Sequence, residues 1–159
     1  MLKLLSNDLT DGGVMPAAHV YNSFGHSGEN RSPQFSWTGV PVGTQCFVLT
    51  CFDPDAPTGS GWWHWVVSNI PSTATEIPAN ASLTPAMPAG CIESRTDYGT
   101  PGYGGAAPPP GPPHRYIFTL YALRIPRIDV TPETSAAVVG FNCHFNTIEK
   151  ATLTVTYGV

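Results

Sequence analysis

The sequence predicts an all-β fold, an antiparallel two-sheet sandwich, on three observations. Strand-length runs rich in apolar, aromatic and β-branched residues recur along the chain. Turns separate them, with 17 Pro and 16 Gly in 159 residues. Strands do not alternate with helices, as they would in a parallel α/β sheet.

Residues 34–37 form a short, turn-flanked strand. The run CFVLTCF over 46–52 is continuously apolar and predicts a strand covered on both faces. WWHWVVSNI over 62–70 and RYIFTLYAL over 115–123 are two more strands. ATLTVTY over 151–157 is the last, with Thr and apolar residues alternating. One helix is predicted between them. Thr131 caps it, Pro132 takes its first position and Glu133 lies in its first turn. Ala137, Phe141, His144, Phe145 and Ile148 follow at three- and four-residue spacing, which predicts one face packed on the sheets with His144 structural. Residues 98–113 (YGTPGYGGAAPPPGPP) sustain neither helix nor strand, and strands flank them on both sides. They predict a long surface loop, stiffened by Pro, that delivers His114 to a strand start. One domain spanning 1–159 is expected.

Composition narrows the functions. Only 11% of residues are charged, the net charge is −4, and the seven Lys and Arg are scattered singly. That excludes a nucleic-acid surface or an anionic-membrane surface. No run reaches the roughly 18 apolar residues of a membrane span. Residues 1–5 are too short for the apolar part of a signal peptide, so a soluble, cytoplasmic chain is expected. The four cysteines form no CxxC pair. Cys46 and Cys51 have odd separation and are read as reduced thiols on opposite strand faces. GxGxxG and GxxxxGK[ST] are absent, so dinucleotide and P-loop chemistry are not expected.

Two segments carry candidate chemistry. Asp53-Pro54-Asp55-Ala56-Pro57 follows an apolar strand directly, so its carboxylates sit on a stiff turn at a sheet end. The plainer reading of that turn is an Asx cap that touches nothing else. Trp62-Trp63-His64-Trp65 surrounds one imidazole with three indoles. Strict alternation puts Trp62, His64 and Val66 on one face and Trp63 and Trp65 on the other. His64 would be desolvated and neutral unless a carboxylate compensates, and Asp53 is the natural candidate. His114-Arg115-Tyr116 opens the next long strand. Parity sends His114 and Tyr116 to one face and Arg115 to the other, where Asp55 is available to it. Two imidazoles, a carboxylate, a phenol and backbone N–H groups suit a tetrahedral oxyanion such as phosphate or sulfate. Asp53 would repel that anion unless a proton is shared. A His–His–Asp metal triad finds no supporting spacing motif. Ser60, the nearest nucleophile, lacks a nucleophile-elbow pattern.

DPDAP, GWWHWVVSNIP and APPPGPPHRYIFTLYAL, preceded by GENRSPQFSW over 28–37, resemble the blocks of the phosphatidylethanolamine-binding protein family. The similarity is greatest to its bacterial and archaeal Raf kinase inhibitor-like branch. The resemblance implies a Greek-key sandwich with one or two short helices near the C-terminus and a pocket at one end. Asp53, His64 and His114 would line that pocket, with Tyr116 and Pro109 in its wall and Asp55, Arg115 and Trp62 in support. Eukaryotic members bind phosphoryl headgroups there, and some regulate kinases. Trp63 stands where those members often carry His. The last strand runs to the end of the sequence without the C-terminal helix of the animal proteins, so a more open pocket is expected.

The leading expectation is therefore a protein that binds phosphate, sulfate, a phosphorylated small molecule or a lipid headgroup, with no catalytic turnover, no cofactor and no metal. The alternatives are a regulator that inhibits a kinase or serine protease through its loops, and an acid–base enzyme using Asp53 and His64. The low-charge surface also suits a homodimer.

Overall fold

The computed structural model describes residues 1–159. Its elements in chain order are β1 (Lys3–Leu5), a 3-10 turn (Ala17–His19), β2 (Phe35–Thr38), β3 (Cys46–Asp53), β4 (Trp62–Pro71), β5 (Glu76–Ile77), β6 (Ile92–Glu93), β7 (His114–Leu123), α1 (Ala136–Asn146) and β8 (Thr147–Tyr157). They form two antiparallel sheets, one ordered β1-β2-β5 and the other β6-β4-β3-β7-β8. The predicted two-sheet, mostly β architecture is what forms, with one α-helix near the C-terminus.

The apolar run of β3 fixes the layering. It lies between β4 and β7, and both of its faces are covered. Phe47, Leu49 and Cys51 face the small sheet, packing in one core with Phe35, Trp37, Trp65 and Phe118. Cys46 and Val48 face the other way, with Val66, Leu123, Ile128 and Val139. Burying each large side chain of this kind contributes about 1.5–3 kcal/mol. Cys46 and Cys51 thus take opposite faces, as their odd separation predicts. Burial pushes the Cys46 thiol up to about 11 and the Cys143 thiol up to about 12, so neither is a thiolate at neutral pH.

The helix differs from its sequence pattern. Thr131 and Thr134 close a separate turn, with the Thr131 amide donating to Thr134 Oγ1 at 2.9 Å and the Thr134 amide to the Thr131 carbonyl. Ser135, not Thr131, is the N-cap, its hydroxyl accepting from the Val138 amide. The buried face is Ala136, Val139 and Cys143, while Phe141 and Phe145 are 67% and 64% exposed. Small side chains let the helix lie close on a sheet face already filled by Val48 and Val66. The bulkier aromatic stripe is turned to solvent, where His144 stands edge-on to Phe145. Ile148 belongs to β8, which follows α1 without a loop.

Residues 98–113 contain no helix or strand, but their middle is not on the surface. Gly102 to Ala106 are buried. The Gly104 amide donates to the His64 carbonyl at 2.9 Å, the Tyr21 amide to the Ala106 carbonyl at 2.9 Å, and the Gly105 amide to Asn30 Oδ1 at 2.7 Å. The segment is threaded between β4 and residues 19–30, and glycine makes that passage narrow. A Cβ on Gly105 would lie 2.3 Å from the His19 carbonyl oxygen. Gly105→Ala is therefore expected to lower stability by about 2 kcal/mol or more in urea unfolding. Gly59→Ala, where nothing lies within 4 Å, should stay within about 0.5 kcal/mol of the parent. Equal stability of the two variants would contradict the threaded path.

Candidate functional site

Asp53 ends β3 and is buried, with 2% of its surface exposed. Its Oδ1 accepts from the Asp55 amide at 2.8 Å, the Asx turn expected of this segment. Its Oδ2 accepts from His114 Nδ1 at 2.7 Å. The carboxylate thus serves the turn with one oxygen and the first residue of β7 with the other. Because Nδ1 holds its hydrogen toward Asp53, Nε2 is the His114 nitrogen left for a ligand.

His64 does not pair with Asp53. Cys51 pairs with Trp65 and Phe52 with Trp63, so one step along β3 spans two along β4. His64 is the extra residue of a β-bulge. The bulge overturns the simple alternation. Trp62, His64 and Trp65 are all turned inward, while Trp63 and Val66 pack on the helix side. The displaced imidazole donates from Nδ1 to the Gly104 carbonyl at 2.8 Å. Its Nε2 is again the free nitrogen. Burial lowers the His64 pKa; the Gly104 carbonyl and the more distant Asp53 charge oppose that shift without cancelling it. His64 is therefore neutral at pH 7.

These residues line one cavity of about 180 Å³ with Tyr116, Trp62 and Pro109. Its volume is the share of roughly six liquid waters. Two of the lining residues carry a polar atom that is buried without any partner, the Tyr116 hydroxyl and Trp62 Nε1. Burial pushes the Tyr116 phenol well above its usual range, so it is a protonated donor. The His64 and Tyr116 rings meet edge to face, with centroids 5.2 Å apart.

Asp55 and Arg115 lie outside this cavity's lining, as parity predicts. Arg115 Nε and Nη2 donate to the two Asp55 oxygens at 3.0 and 2.9 Å, and the Arg115 amide adds a third bond at 2.9 Å. The Arg115 guanidinium pulls the Asp55 carboxyl down to about 2. The pair is largely exposed, so its worth is positional, holding the turn against β7.

The structure thus gathers Asp53, His64, His114, Tyr116, Pro109 and Trp62, and leaves Asp55 and Arg115 behind them. Sequence reasoning missed Tyr98 and Phe24, which complete the wall. Both sit in irregular segments where no periodicity assigns a direction. The one available signal was their being aromatic residues in Gly-rich loops. No three His, Cys, Asp or Glu side chains are placed to hold one metal ion.

Comparison with known proteins shows the family. The family described as phosphatidylethanolamine-binding protein matches residues 5–158. The chain belongs to the phosphatidylethanolamine-binding protein family. Within it, the UPF0098 protein YbhB of Escherichia coli K12 is 54% identical over 157 residues, covering 98% of this chain and 99% of that protein. The UPF0098 protein YbcL of the same organism is 43% identical over 160 residues, covering 99% of this chain and 87% of that protein. The crystal structure of Escherichia coli YbcL, described as a new member of the mammalian PEBP family, matches with a TM-score of 0.97 and covers 99% of this chain and 98% of that one. CT736 of Chlamydia trachomatis D/UW-3/CX matches at 25% identity and a TM-score of 0.84, over 99% of this chain and 97% of that one.

The neutral His64 has a consequence for stability. Its folded pKa lies below its unfolded value near 6.5, so the unfolded chain takes up a proton that the folded chain refuses. Stability is full above about pH 6.5 and falls as pH drops through and below that value, by at most about 1.4 kcal/mol per pH unit. The lowered Asp55 acts in a separate window, its contribution being lost from about pH 4 toward 2. Chemical denaturation of the parent and His64→Gln at a series of pH values checks this. The variant is expected to lose the decline between about pH 6.5 and 5. Parallel profiles would contradict the assignment.

Proposed function

We propose that the cavity binds a phosphoryl-type oxyanion and does not turn it over. Family membership supports a binding role. The observation that carries the finer reading is the pair of imidazoles, each pinned through Nδ1, that line one small cavity. His64 and His114 each tie down Nδ1 and leave Nε2. The Tyr116 hydroxyl and Trp62 Nε1 are buried donors with nothing to donate to. Unpaired buried donors cost about 1–3 kcal/mol each, a cost that a ligand oxygen reaching either one would relieve.

The charge balance shapes the binding. The lining holds one carboxylate, two imidazoles and no Lys or Arg. A dianion beside Asp53 is repelled unless a proton comes with it. Either the ligand arrives as a monoanion and shares its proton with His64 Nε2, or His64 takes a proton from water. Hydroxyl chemistry is weak at this site. The lining Thr58 donates its hydroxyl to the Gly61 carbonyl at 2.6 Å, and the Tyr98 and Tyr116 phenols are held protonated by burial. Those features support binding over group transfer.

Calorimetric titration with inorganic phosphate tests the proposal. Affinity is expected to fall several-fold between about pH 6 and 8, with a proton taken up on binding that shows as a heat dependent on the buffer. His64→Gln and Tyr116→Phe should each weaken binding, by about tenfold or more and a few-fold respectively. Equal or tighter binding at the higher pH, or variants indistinguishable from the parent, would overturn it.

A further inference from the structure

Residues 21–28 form a closed loop at the rim of the cavity, and its base is tied down. The Gly28 amide donates to the Tyr21 carbonyl at 2.9 Å and the Asn30 amide to the Val20 carbonyl at 2.9 Å, while the Tyr21 amide reaches the Ala106 carbonyl. Gly28 packs so closely that a Cβ there would lie 2.2 Å from the Val20 carbonyl oxygen. The two ends are held together as in an Ω-loop, where the span between them is packed by its own side chains.

The tip is held much less. Asn22, Ser23, Phe24 and Gly25 are exposed. The His26 amide donates to the Ser23 carbonyl at 3.1 Å, which closes a turn within the tip. One hydrogen bond leaves residues 22–27, from His26 Nε2 to the Pro108 carbonyl at 3.0 Å. Pro108 is buried, lines the cavity and is followed by two further prolines, so the bond ties the tip to a stiff wall. Phe24 lines the cavity while 68% exposed, with its ring centroid 5.8 Å from that of Tyr98 at 42°. Its φ of 55° lies in the left-handed region, which is strained for a bulky side chain. A segment that is exposed, strained and held by one bond opens at low cost while its close-packed base stays in place.

We propose that residues 22–27 are a lid on the cavity, swinging on the fixed base at Tyr21 and Gly28, with the His26–Pro108 hydrogen bond as its latch. Closed, the latch sets Phe24 at the rim. Open, the lid relieves the strain at Phe24 and widens the entrance. The inference concerns entry and exit, and it rests on the reading of the cavity as a binding site given above. His26 does not line the cavity. It acts on a ligand only through the position of the loop. A hydrogen bond of this kind shifts an opening equilibrium roughly fivefold. Opening precedes both entry and exit, so losing the latch speeds the two alike.

NMR on the intact chain tests the lid, by relaxation dispersion without ligand and by exchange kinetics with inorganic phosphate, in the parent, His26→Ala and His26→Gln. In the parent, amides of residues 22–27 are expected to show microsecond-to-millisecond exchange while those of Tyr21 and Gly28 do not. His26→Ala should raise the phosphate association and dissociation rate constants together, by about three- to fivefold, and leave Kd within about twofold. His26→Gln keeps a side-chain N–H donor and should return both rates toward the parent. A tip with no more dispersion than its base, in the parent and His26→Ala alike, would overturn the lid. Phosphate rates unchanged in His26→Ala would also overturn it, as would a weaker Kd carried by dissociation alone, the mark of a residue that touches the ligand. If the parent binds no phosphate, the phosphoryl reading falls and the dispersion data alone decide the lid.

Discussion

The buried Asp53 carboxylate is the constraint on which the rest of the site depends. A charge at the dry end of a β-strand persists only with partners for both oxygens, and leaving it unpaired costs about 3–5 kcal/mol. Asp53 uses one oxygen to close its own turn and the other to hold His114. That joins the end of β3 to the start of β7 at a fixed spacing. Asp55, two residues further on, is then left to meet Arg115 on the outside. Two acidic residues two positions apart do different work because one is buried and one is wet.

The second imidazole is held by the same logic with a different acceptor. The β-bulge turns His64 into the cavity, where a lone buried ring needs a partner for Nδ1. The Gly104 carbonyl supplies it. That carbonyl reaches the ring only because the Gly-rich segment runs inside the protein. Gly104 lies against the Tyr98 ring and Gly105 against the His19 carbonyl, closer than any side chain allows. The long loop is thus a wall of the site, and its low complexity reflects lack of room. Both imidazoles end in the same state, with Nδ1 occupied and Nε2 available. Around them, Tyr116 and Trp62 keep unpaired donors.

The long strands were legible because the 46–52, 62–70 and 115–123 runs are apolar over strand length and bounded by turns. β1, β5 and β6, of three, two and two residues, are too short to leave a period. The residue types of the site were also legible, since Asp53, His64 and His114 are polar residues at or near the ends of apolar strand runs. Their pairing was not. Parity arguments assume an unbroken ladder, and the bulge at His64 breaks it. The same limit misplaced the helix face, because a sequence pattern ranks side chains by hydrophobicity while the sheet below accepted Ala136 and Cys143 for their size. Phe24 and Tyr98 were out of reach for a plainer reason: their positions depend on turns set by hydrogen bonds far along the chain, such as that from the Tyr21 amide to the Ala106 carbonyl.

Binding as proposed requires two pinned imidazoles that present Nε2 to one small cavity. Proton–nitrogen correlation NMR of the histidine rings reads it directly. At about pH 8 the account predicts His64 with a protonated Nδ1 and a bare Nε2, and His114 with its hydrogen on the Nδ1 facing Asp53. Added inorganic phosphate should move both Nε2 resonances while the Nδ1 hydrogens stay in place. His64 found with its hydrogen on Nε2, or Nε2 resonances that ignore phosphate, would contradict it.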